Sequence, residues 1–128
     1  MLIAGLVFAA LAGALHVYIF VLESLRWTQP ATRRIFGVGT AADAETTRAL
    51  AFNQGFYNLF LAIAAFLGVV LVAVGARTAG VTLALAGTGM MLAAALVLVL
   101  SDRGKARAAA TQGTAPLLAV VALSISIL

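Results

Sequence analysis

The chain has 128 residues, 64% of them hydrophobic and 9% charged, with a formal net charge of +4. A soluble domain is roughly 45–50% apolar and about 25% charged, so these proportions exclude an ordinary water-soluble domain and place the chain in a bilayer. With no cysteine, neither a disulfide framework nor a thiolate metal site can form. The basic balance is taken as membrane topology rather than nucleic-acid binding, because no basic face interleaved with aromatics accompanies it.

Four apolar runs, each close to the roughly 20 residues that cross a ~30 Å hydrocarbon core, predict helices at about residues 2–22, 41–75, 79–100 and 108–128. The expected fold is therefore all-α: an integral membrane four-helix bundle forming one domain over residues 1–128, with a short interfacial helix between the first and second transmembrane helices. The first run is too long for the 7–15-residue core of a secretory signal and lacks a basic leading segment, so it is expected to be retained as a helix. His16 and Glu23 stand seven residues apart on it, within about 20° of two full turns, and so share a face.

Trp27 follows where an interfacial aromatic anchor belongs. Pro30 suits a first helical turn, which loses nothing by its missing N–H. The segment Ala31-Thr32-Arg33-Arg34-Ile35-Phe36, closed by Gly37, then predicts one or two turns on the membrane surface, arginines toward phosphates and Ile35 and Phe36 toward acyl chains. Thr40-Ala41-Ala42-Asp43 has the spacing of an N-cap and an acidic N3 residue, so the second helix is expected to start near Ala41, ahead of the membrane.

That helix carries the block Asn53-Gln54-Gly55-Phe56-Tyr57-Asn58, four hydrogen-bonding side chains in an otherwise apolar run. Asn53 and Tyr57 are four apart, as are Gln54 and Asn58, which makes two polar stripes about 100° from each other, with Phe52, Phe56 and Phe60 on another side. An amide or hydroxyl buried without a partner costs roughly 2–7 kcal/mol. The polar sector is accordingly expected to face protein, with His16 and Glu23 as the groups brought to it. On the third helix, Gly80, Ala84 and Thr88 repeat every four residues, the small-xxx-small pattern of close helix packing; it serves either packing within the bundle or the seam of a homodimer. On the fourth, Pro116 removes a backbone donor from the early turns and leaves Gln112 available to the interior.

Arg26, Arg33, Arg34, Arg48, Arg103, Lys105 and Arg107 fall in the first and third connections, whereas Arg77 alone marks the opposite side. The positive-inside rule makes the basic side cytoplasmic and both termini external. In an antiparallel pair this sets His16 level with Asn58 and Glu23 level with Asn53, and Gln112 falls in the same slab. The expectation is a pocket in the cytoplasmic half of the bilayer, lined by His16, Glu23, Asn53, Gln54, Tyr57, Asn58 and Gln112. No polar groups line the remaining depth, which excludes a through-channel.

The combination His16-x-Tyr18-Ile19-x-x-Leu22-Glu23, then Trp27, Pro30, Phe36-Gly37, Asn53-Gln54-Gly55-x-Tyr57-Asn58 and Gln112-Gly113-x-x-x-Pro116 resembles the bacterial membrane family catalogued as domain of unknown function 1304, over essentially the whole chain. Ser24-Leu25-Arg26 stands where that family has a more apolar stretch. The resemblance implies a four-helix inner-membrane protein, distantly similar to the DoxX-like group, and implies no established activity.

Three function classes follow. The first is binding of a small hydrophobic or amphipathic ligand or a lipid, with membrane lipids as the surrounding partners. The second is a proton-coupled transporter acting as a homodimer through Gly80, Ala84 and Thr88, with His16 or Glu23 as proton site. The third is a membrane-embedded acid/base enzyme of isomerase type using the same two groups. The bland alternatives are a neutral His16 bonded to Asn58 or Tyr57 and a helix-end Glu23 paired with Arg26. No cofactor and no metal is expected, since one histidine and one nearby carboxylate do not make a closed site. No Gly-x-Ser-x-Gly elbow or phosphate loop occurs, which argues against hydrolase and nucleotide chemistry.

Overall fold

A computed structural model describes residues 1–128, and every regular element in it is helical. The helices are α1 (Leu2–Phe20), α2 (Pro30–Phe36), α3 (Ala41–Ala73), α4 (Arg77–Ser101) and α5 (Ala106–Ile125). A π-helical turn, Val21–Leu25, continues α1, and a single 3-10 turn, Arg103–Lys105, leads into α5. Four stretches, Leu2–Leu25, Ala41–Ala73, Arg77–Ser101 and Arg103–Ile125, are long and apolar enough to cross a membrane. The chain divides into two compact units, Met1–Leu15 with Leu61–Leu128, and His16–Phe60.

The first unit is a bundle of four helical segments whose buried positions are mostly alanine and glycine, with Val81, Met91 and Leu123 among them. Ala9, Val81, Ala84, Ala119 and Leu123 form one buried cluster, and Ala12, Ala65 and Met91 another. The large aliphatic residues are outside: Ile3, Val7, Leu11, Ile63, Leu67, Val70, Leu96, Val97 and Val121 are all exposed. A water-soluble bundle shows the opposite arrangement. Lipid tails are as apolar as leucine, so helices in a bilayer gain little by burying large side chains and associate through close backbone packing instead. The chain is a multi-pass membrane protein on these grounds.

The closest approach in this unit lies between α3 and α4. A Cβ placed on Gly68 would stand 2.5 Å from the Ala84 nitrogen and 2.7 Å from the Gly80 carbonyl oxygen. Gly80, Ala84 and Thr88 are buried, and the Thr88 hydroxyl donates back to the Ala84 carbonyl oxygen at 2.7 Å. The small-residue stripe is thus consumed within one chain and offers no surface to a second copy. Pro116 is buried inside α5 without ending it. On the side opposite the basic connections, the Arg77 guanidinium donates to the Ser126 carbonyl oxygen at 3.1 Å, tying the start of α4 to the end of α5.

The second unit comprises the end of α1, the π turn, α2 and the first part of α3. Pro30 opens α2, and Gly37, at φ 70°, closes it in the left-handed conformation that favours glycine. α3 begins at Ala41 behind a complete capping box: the Thr40 hydroxyl accepts from the Asp43 amide at 3.0 Å, and the Asp43 carboxylate accepts from the Thr40 amide at 3.1 Å. The Trp27 indole donates to the Thr47 hydroxyl at 3.1 Å and packs on Phe36 at 5.2 Å, fixing the loop against the first turns of α3.

Candidate functional site

The polar block is organised by an unusually close contact between the π turn and α3. A Cβ on Gly55 would overlap the Ser24 hydroxyl and lie 3.0 Å from the Ser24 amide nitrogen. With only hydrogen there, the Ser24 hydroxyl reaches across and donates to the Phe52 carbonyl oxygen at 2.8 Å. One turn deeper, Phe20 meets Phe56 edge to face at 5.1 Å. Phe20 with Phe56 and Ser24 with Phe52 define the antiparallel register: a step of four up one helix matches a step of four down the other.

Within that register Glu23 meets Asn58, whose side-chain amide donates to the carboxylate at 2.9 Å. By depth alone, Glu23 is expected level with Asn53. The difference has a simple cause: a helical side chain leans toward its own N-terminus. Glu23 leans toward the level of Phe20, and Asn58 leans toward Gln54, to whose carbonyl oxygen it also donates at 3.1 Å. Glu23 and Asn58 are both half-buried. No Lys or Arg lies within ion-pair range of Glu23, whereas Glu45 and Arg48 do pair at 3.2 Å. The alternative in which Glu23 pairs with Arg26 is not seen; Arg26 terminates the π turn and is exposed.

The other expected site residues are distributed differently from an interior pocket. His16 is buried, with 2% of its surface exposed. Asn53 and Gln54 are exposed, and Tyr57 is 64% exposed. Gln112 is half-buried on α5, in the first unit. The outward placement of the amides follows from the length of α3. Its 33 residues extend about 50 Å, well beyond a ~30 Å hydrocarbon core. A helix of that length projects beyond the hydrocarbon, so part of α3 stands in water or among head groups.

Phe52, Phe56 and Phe60 form a ladder along α3, with centroids 5.0 and 6.2 Å apart, and Phe52 and Phe60 are exposed. A shallow open hollow of about 420 Å³ lies along the same helix, lined by Glu45, Arg48, Ala49, Phe52 and Asn53. The residues that sequence reasoning missed are Ser24, whose hydroxyl anchors the contact, and Thr47, which holds Trp27. Ser24 carried one signal, a polar residue directly following Glu23 before the chain leaves the membrane.

No curated protein and no solved structure matches the chain. The family model described as protein of unknown function (DUF1304) matches residues 10–124, a span that includes the π turn, the polar block and the buried proline. The chain belongs to the DUF1304 family.

Proposed function

We propose that the chain binds a small amphipathic molecule at the membrane–water boundary, the polar head held by Glu23, Asn53, Gln54, Tyr57 and Asn58 and the tail left among the lipid acyl chains. The observation that carries this reading is the Glu23–Asn58 hydrogen bond at 2.9 Å, set beside three exposed polar side chains on the same stretch of α3. An interhelical hydrogen bond between membrane helices contributes only about 0.6 kcal/mol on average. Helix packing uses Asn58 and leaves Asn53, Gln54 and Tyr57 exposed and available to a ligand. His16 is buried and is left out of this set.

The same reading places the chain in the inner membrane of a bacterial cell, with the basic connections cytoplasmic and both termini outside. The asymmetry of seven Lys and Arg against Arg77 supports this orientation, and it sets the site at the cytoplasmic face.

A thermal-shift series with single-chain amphiphiles tests the binding role. Asn53→Ala, Gln54→Ala and Tyr57→Phe should leave the melting of the ligand-free protein nearly unchanged, since exposed substitutions usually stay within about 0.5 kcal/mol. Each should reduce the ligand-induced stabilisation. Ligand-induced shifts identical to the unsubstituted protein in all three variants would remove this block from the binding site.

A further inference from the structure

We infer that the ligand is cationic: the Glu23–Asn58 pair receives the ammonium group of an alkylammonium amphiphile. The inference rests on the amphiphile-binding reading above and names the chemistry of its head group.

The hydrogen-bond inventory of the pair drives the assignment. The Asn58 amide nitrogen has two hydrogens, and both are used, one on the Glu23 carboxylate and one on the Gln54 carbonyl oxygen. What the pair still presents is acceptor only: the second carboxylate oxygen of Glu23 and the side-chain carbonyl oxygen of Asn58. An ammonium group offers hydrogen-bond donors and no acceptor, which matches that surface. A phosphate, carboxylate or ether head brings more acceptors and is repelled.

Charge points the same way. A carboxylate drawn partly out of water is expensive unless a cation accompanies it. The chain supplies none at Glu23, although Arg26 is only three residues away and is exposed instead. The half-burial of both residues leaves the acceptor oxygens reachable from outside the helix pair. Their spacing is held by the Ser24–Phe52 hydrogen bond and the Gly55 contact beside them, so the site is formed before the ligand arrives. A bare metal ion is a poor occupant, because the chain gathers no cluster of three or more metal-ligating side chains and the ion would keep most of its water.

The test uses the full chain in phosphatidylcholine nanodiscs and two probes of equal chain length, dodecylammonium and the uncharged dodecanol. Trp27, the single tryptophan, lies in the same unit and reports occupancy by fluorescence, with protein-free nanodiscs as the blank. Dodecylammonium should give a saturable change, weakened at least tenfold by Glu23→Gln. Dodecanol binding should be the same in Glu23→Gln as in the unsubstituted protein, which also shows that the variant is folded. Equal dodecylammonium affinity with and without Glu23→Gln overturns the cation assignment while leaving amphiphile binding intact. No saturable response to either probe overturns the amphiphile reading itself.

Discussion

At the scale of single residues, Gly55 decides how near the π turn comes to α3. Adding one methyl group there forces the Ser24 hydroxyl out of its position, and overpacking of this kind typically costs about 1–3 kcal/mol. Gly55→Ala should therefore lower the stability of the detergent-solubilised protein by an amount in that range, measured by thermal or denaturant unfolding. The effect should shrink in a Ser24→Ala background, where the obstructing oxygen is gone; a double-mutant cycle reads the coupling directly. Additive losses would mean that the two residues do not touch. The glycine was visible in the sequence as the centre of the polar block, but its reason was not. That reason depends on a π turn that carries Ser24 toward α3, and no periodicity in Val21-Leu22-Glu23-Ser24-Leu25 announces such a turn. Glu23 and Asn58 were legible as candidate partners for the same block, whereas their pairing required the lean of both side chains to be taken into account.

At the scale of the element, the length of α3 matters more than its hydrophobicity. The capping box of Thr40 and Asp43 starts the helix in water, and the Trp27–Thr47 hydrogen bond holds the α2 loop against the projecting turns. Both the start at Ala41 and the glycine stop of α2 were readable, because cap residues act through local spacing that the sequence displays. The direction in which the polar stripes face was not readable. Amphipathic pattern tells which residues share a side, but the depth of each residue depends on where a 33-residue helix sits in a bilayer that accommodates about 20. The amides were expected to face protein because they were assigned to hydrocarbon depth; in the structure Asn53 and Gln54 are exposed. Thr40→Ala removes one side-chain acceptor from the first turn and should cost about 1 kcal/mol. Hydrogen exchange should localise the loss, with the backbone amides of Ala42, Asp43 and Ala44 exchanging faster while the amides of α4 are unchanged. Uniform acceleration along the chain would instead mean that the cap contributes to global stability.

At the scale of the whole molecule, the arrangement of small residues inside and large ones outside makes the membrane itself part of the fold. Gly68, Gly80 and Ala84 let two backbones meet, and the leucines and valines left outside need acyl chains around them. This was partly legible: the four-residue repeat identified a packing stripe, but a repeat cannot say whether the facing helix belongs to the same chain. The orientation of the chain rests on a different quantity, the uneven distribution of Lys and Arg, and it decides from which compartment the proposed ligand would come. The absence of cysteine makes this directly measurable, because a single introduced thiol has no background. Thr40→Cys lies at the exposed start of α3 beside the basic α2 segment, and Ala76→Cys lies in the exposed turn before α4. With a membrane-impermeant maleimide added to intact bacterial cells, Ala76→Cys should label at once and Thr40→Cys only after the membrane is opened. The reverse pattern would invert the protein and move the Glu23–Asn58 site to the outer face, where its ligand would come from outside the cell rather than from the cytoplasm.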